Sequence, residues 1–135
     1  MNEHVTGRCL CGEVTFTVAT DFQQFYLCHC QQCRQITGAP YAANLLTKPD
    51  SITWLSGESL LRRYDYPGRS FSKVFCSQCG SGLPFITQSG KTLIVPAGSL
   101  NEQPKMQPSN NIFWEEHLDW VETSHEAKKC QHYPE

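Results

Sequence analysis

From Glu13 to Thr20 the chain reads EVTFTVAT, with Val14, Phe16 and Val18 two residues apart and polar residues between them. A strand points successive side chains to opposite faces, so this alternation predicts a half-buried strand. Further short runs rich in β-branched and aromatic residues lie at Phe25–Leu27, Tyr41–Leu45, Ser51–Leu55, Leu60–Tyr66, Ser70–Phe75, Pro84–Thr87 and Thr92–Pro96. Gly, Pro, Asp and Ser punctuate them, and evenly spaced short strands predict an antiparallel, mostly β architecture. The polar NEQPKMQPSNN stretch from Asn101 to Asn111 carries two prolines and reads as a surface loop leading to Ile112-Phe113-Trp114. Gln31–Thr37 predicts one helical turn, and Glu115–Lys129 another short helix.

Length adds a bound to this picture. With 135 residues and 39% hydrophobic composition, one core over residues 1–135, centred on about 7–120, is expected rather than two domains. Thirteen acidic residues against eleven Lys and Arg give no basic field, so neither nucleic acid nor an anionic membrane is an expected partner. Met1–Arg8 has no apolar signal-peptide core and no stretch is long enough for a membrane span, so a cytoplasmic location is expected.

Eight cysteines change the picture most. They cluster as Cys9-Leu-Cys11, Cys28-His-Cys30-Gln-Gln-Cys33 and Cys76-Ser-Gln-Cys79, with Cys130 alone. A disulfide framework spreads its cysteines to staple distant loops, whereas tight spacing of this kind suits a metal. If Cys9 and Cys11 share a strand face, they form one ligand pair. Cys76-x-x-Cys79-Gly80 has the form of a zinc knuckle, the glycine permitting positive φ after the second sulfur. Two such pairs make a closed, four-sulfur structural site, with a metal-free redox dithiol as the alternative.

Cys28, Cys30 and Cys33 supply only three sulfurs. Three protein ligands plus an exchangeable fourth is the layout of a catalytic zinc. Three thiolates on Zn²⁺ leave a net negative charge, which weakens water ionisation and favours a soft thiol as incoming group. His29 would face away from its flanking cysteines in an extended segment, so a supporting role is expected rather than ligation. Cys130, in the polar tail AKKCQHYPE, is expected to be an ordinary thiol.

The runs GRCLCGEVTF, LCHCQQCRQITGAPY and VFCSQCGSGLPF, with the closing IFW and Trp120, resemble the glutathione-dependent formaldehyde-activating enzymes, a family that includes centromere-protein-V-like proteins. The resemblance runs from about Gly7 to Trp120. It implies a β-tent of small antiparallel sheets joined by a four-cysteine zinc site, with few helices. It implies structural zinc on Cys9, Cys11, Cys76 and Cys79, and catalytic zinc on Cys28, Cys30 and Cys33, the second ion being open to loss or its thiols to oxidation. The implied activity is a carbon-sulfur lyase uniting a small thiol such as glutathione with formaldehyde. Arg34, Arg62, Arg63, Arg69 and Lys73 are candidate anchors for the carboxylates of such a thiol. A non-enzymatic zinc-stabilised binding module is the alternative, and a redox role, by analogy with β-tent methionine sulfoxide reductases, is a third.

Overall fold

The computed structural model describes residues 3–134. Among the described residues, eleven strands form three small sheets. In the first, β1 (His4–Arg8), β2 (Thr15–Ala19) and β5 (Ile52–Ser56) run in the order β1-β2-β5. The second contains β3 (Gln24–Cys28), β4 (Ala42–Thr47), β9 (Phe85–Ile86), β10 (Leu93–Pro96) and β11 (Asn110–Ile112), ordered β11-β3-β4-β10-β9. The third joins β6 (Leu61–Asp65), β7 (Ser72–Cys76) and β8 (Gly82–Leu83). One short helix, α1 (Gln31–Thr37), follows β3. This is the mostly β arrangement of small sheets that the resemblance implies.

The alternation in β2 buries Phe16 and Val18, which join Val14, Leu45, Leu83, Leu93 and Val95 in the core. Phe16 is fully buried and meets Trp54 edge-on at 5.5 Å. Truncation to alanine there costs about 3–5 kcal/mol through lost transfer energy and the cavity left behind.

Period two also divides the five-stranded sheet. Phe25, Leu45, Leu93 and Val95 face the core, while Tyr26, Cys28, Asn44, Leu46, Ile94 and Ile112 line a cavity on the other side. One sheet therefore has one face for stability and one for chemistry.

Three expectations need correction. The antiparallel pattern breaks at β11, which pairs in parallel with β3, Ile112 opposite Cys28. That strand lies at the end of the stretch read as loop, because Asn110 and Asn111 carry no alternation and their strand character comes from the pairing alone. Glu115–Lys129 holds no α-helix: Trp114–Glu116, Asp119–Val121 and Ser124–Glu126 are separate 3-10 turns. Finally, Cys9 and Cys11 do not share a strand face. They lie in the turn between β1 and β2, where the Gly12 amide donates to the Cys9 carbonyl at 3.1 Å and Gly12 adopts φ +82°.

Candidate functional site

Two turns from different sheets bring the first cysteine group together. The β1–β2 turn carries Cys9 and Cys11, while Cys76 ends β7 and Cys79 lies in the turn that follows. In that turn the Gly80 amide donates to the Cys76 carbonyl at 2.8 Å, and Gly80 has φ +80°. The four Sγ atoms all lie within 4.8 Å of one another, with Cys9–Cys11 at 3.5 Å and Cys11–Cys76 at 3.9 Å. Four sulfurs bound tetrahedrally to zinc at about 2.3 Å stand about 3.8 Å apart, so the group fits that ion.

Hydrogen bonds on sulfur support the same reading. The Val14 amide donates to Cys9 Sγ at 3.3 Å and the Gln78 amide to Cys76 Sγ at 3.4 Å. Ser81 Oγ accepts from the Leu10 amide at 2.9 Å and lies 3.3 Å from Cys79 Sγ, leaving its hydroxyl proton for that sulfur. That bond, reinforced by the Cys11 backbone, pulls the Cys79 thiol down to about 5. The thiolate form, which a metal needs, is favoured there before any ion arrives.

The second group is local. Cys28 ends β3, Cys30 is the N-cap of α1, and Cys33 lies in its first turn. Cys30 Sγ accepts from the Cys33 amide at 3.3 Å, performing the capping usually done by Ser or Asp. Gly38 closes the helix at φ +67°, its amide reaching the Arg34 carbonyl at 2.8 Å. The three Sγ atoms lie within 4.8 Å of one another. Hydrogen bonding from Cys33 pulls the Cys28 thiol down to about 6. The same contact, with burial, pushes Cys33 far up, and burial raises Cys30. Three thiols thus share one readily formed negative charge, and a metal would displace the remaining protons.

His29, fully buried, is turned away from this group as expected. Its Nε2 lies 2.9 Å from Asn111 Oδ1, its amide donates to the Ile112 carbonyl at 3.0 Å, and its ring meets Tyr41 and Trp114. Glu116 Oε1 accepts from the Gln31 amide at 3.0 Å and so satisfies a free donor in the first turn of α1. Residues 111–116 therefore hold the Cys28–Gln31 part of the Cys28–Cys33 segment. Cys130 is exposed and stands outside both groups.

Cys28 and Cys33 open onto a cavity of about 460 Å³. Its floor is the outer face of the five-stranded sheet, and α1 contributes Ile36 and Thr37 to one wall. Ser70, Phe71, Ser72 and Lys73 form the opposite wall. Gln88 Nε2 donates to the Arg69 and Phe71 carbonyls at 2.9 and 3.1 Å, holding that segment in place. Of the five candidate anchors only Lys73 lines the cavity. Arg63 is engaged by Asp65 at 3.0 Å, Arg62 by the Ser59 and Leu61 carbonyls, and Arg69 lies over the Tyr66 ring. Tyr26, Tyr41 and Gln88 were not singled out in the sequence, where nothing separates an aromatic in a core strand from one lining a cavity.

A third group, His117, Asp119 and Glu122, places possible ligand atoms within 4.8 Å, on an open face. His117 Nε2 pairs with Glu122 at 2.9 Å, and its Nδ1 meets the Trp114 carbonyl. No helix among the described residues is long and apolar enough to cross a membrane.

A Schizosaccharomyces pombe protein named as an uncharacterized lyase is 29% identical over 86 residues, covering 63% of this chain; the chain spans 59% of that relative's length. A crystal structure of a Rhodobacter sphaeroides protein superposes with a TM-score of 0.61 at 21% identity, covering 78% of this chain and 98% of that one, which is a likeness of fold. The family model described as glutathione-dependent formaldehyde-activating enzyme matches residues 4–116. The chain belongs to the family of glutathione-dependent formaldehyde-activating enzymes.

Proposed function

We propose that this chain is a zinc-dependent carbon-sulfur lyase acting on a small thiol, such as glutathione, and a small aldehyde, such as formaldehyde. The observation that carries the reading is the cavity opening onto Cys28 and Cys33, two members of a three-sulfur group with no fourth protein ligand among the described residues. Cys9, Cys11, Cys76 and Cys79 hold a structural zinc in this reading, and Cys28, Cys30 and Cys33 hold the reactive one. Zinc held by Cys28, Cys30 and Cys33 would supply a Lewis-acidic corner at which an incoming thiol would lose its proton more readily.

The chain's own residues do the rest. Leu46, Ile94 and Ile112 give the floor beside the sulfurs an apolar surface, which strengthens electrostatic interactions there once a substrate covers it. Tyr26 and Tyr41 line the same space, and a phenol is a competent donor to a carbonyl oxygen that gains charge. In the forward direction the thiol sulfur forms a bond to the aldehyde carbon, the carbonyl π pair moves to oxygen, and the thiol proton ends on that oxygen. No electrons are gained or lost overall, so a thiol and an aldehyde suffice.

The test is two-dimensional exchange NMR on glutathione and its hydroxymethyl adduct, with protein carrying two zinc ions per chain. Exchange faster than the uncatalysed rate, lost in Cys28→Ala, is the expected result. Unchanged exchange with two-zinc protein would remove the lyase reading and leave a zinc-stabilised binding module.

A further inference from the structure

Lys73 occupies an unusual position for a lysine. It is half-buried on β7, and among the described residues its ammonium has neither a carboxylate partner nor a hydrogen bond. Lysine seldom leaves water without a partner, because the ammonium loses hydration that nothing replaces. Burial accordingly pulls its pKa down, partly countered by the nearby Cys33 sulfur.

Two cavities meet at this side chain. The first is the one beside Cys28 and Cys33. A second, of about 450 Å³, continues past Lys73 along Pro96 and Gly98 to Arg8, Ser81 and Asn101. Lys73, Pro96 and Gly98 line both, so the two adjoin as one cleft at Lys73, with the three-sulfur group on one side and Arg8 on the other. Arg8 is exposed and forms no ion pair among the described residues. Room for the ammonium is made by Gly82, where an added Cβ would stand 2.5 Å from Lys73 Nζ.

We infer that Lys73 is a specificity-determining residue that binds a carboxylate of the thiol substrate, so that this cleft selects anionic, elongated thiols over neutral ones. The inference rests on the proposed lyase reading for the word substrate, but the binding preference stands apart from turnover. A lysine held in a partly dry wall meets a carboxylate with little further desolvation, and a charge-assisted hydrogen bond there is stronger than one in open water. Arg8 lies further along the cleft, where a second carboxylate of a longer ligand would find a guanidinium.

The experiment measures binding, by calorimetry or NMR shift titration, of S-methylglutathione and its dimethyl ester to zinc-loaded protein. The blocked sulfur prevents turnover, so the readout is free of the reaction. Wild-type protein is expected to prefer the diacid by about tenfold or more, the range of one charge-assisted hydrogen bond. Lys73→Gln should bring both ligands to similar affinity, and Lys73→Arg should retain most of the preference. Gly82→Ala keeps the charge but pushes the ammonium aside, and should reduce the preference while leaving zinc content and unfolding midpoint unchanged. Equal binding of acid and ester by wild-type protein, binding of neither, or a preference that survives in well-folded Lys73→Gln, would overturn the assignment. A preference with no catalysed exchange would remove the lyase reading and keep Lys73 as an anion subsite.

Discussion

The two cysteine groups are made from the same atoms and assembled in opposite ways. The four-sulfur group ties the turn after β1 to the turn after β7, with Cys11 and Cys76 separated by 65 positions in the chain. Its sulfurs number what a tetrahedral ion requires, and the Val14, Gln78 and Ser81 donors are already directed at them. The three-sulfur group spans six residues, lies against a cavity, and is held in place from outside by Asn111, Ile112 and Glu116. Distance along the chain is the difference that matters. A metal joining remote turns stabilises the fold by closing a long loop, while one gripped by six consecutive residues closes almost none.

Replacing one ligand in each group is the sharpest way to break this comparison. Cys76→Ala should lower stability by about 4 kcal/mol or more, a fall of roughly 15 °C in Tm, with loss of zinc from the first group. On the proposed reading, Cys28→Ala should remove the second zinc and the thiol chemistry while shifting Tm by under about 5 °C. Metal analysis and calorimetry on both variants decide the matter: equal destabilisation would mean that both ions are structural.

A smaller effect is expected at Gly80. Its φ of +80° is the left-handed conformation that the turn after Cys79 requires, and no atom lies within 4 Å of the position a Cβ would take. Strain without a clash is therefore the whole cost, about 1–2 kcal/mol for Gly80→Val and less for Gly80→Asn. Denaturant midpoints should register it, with release of the second zinc unaffected.

Glu116 gives the mirror image of that experiment. Glu116→Ala removes the acceptor for the Gln31 amide, worth about 1 kcal/mol, and loosens α1 rather than the global fold. A chromophoric chelator should then extract the faster-leaving zinc several times more quickly while the slower phase holds. Acceleration of both phases would refute a frame specific to the second group.

The smallest expected effect belongs to His117. Its hydrogen bond with Glu122, helped by the Trp114 carbonyl, raises its pKa above the usual histidine value. A raised folded-state value means that the pair contributes fully below about pH 6.5 and is lost as pH rises through the elevated pKa. Histidine proton shifts should titrate above the ordinary midpoint and move back down in Glu122→Gln.

Both cysteine groups were legible in the sequence because their spacings are local and chemically distinctive. So was β2, whose alternation survives in its burial pattern. β1 and β11 were not, for neither His4–Arg8 nor Asn110–Ile112 alternates strongly, and both are strands through their neighbours. Lys73 was visible only as one of five cations. What distinguishes it is the strand face it occupies and the absence of a side chain at Gly82, which pairs with Phe75 and leaves space for the Lys73 ammonium, both products of tertiary pairing. The parallel pairing of β11 had no local signal either, since direction depends on the route taken by the intervening chain.

That late parallel strand also sets a timetable. All four members of the first group have left the ribosome once Cys79 has, whereas His29 waits for Asn111, 82 positions on, and Gln31 waits for Glu116. A nascent chain can therefore complete its inter-sheet clasp while Cys28, Cys30 and Cys33 are still unframed thiols, vulnerable to oxidants and to the wrong metal. The frame around these three thiols is then complete only once residues 111–116 have been made.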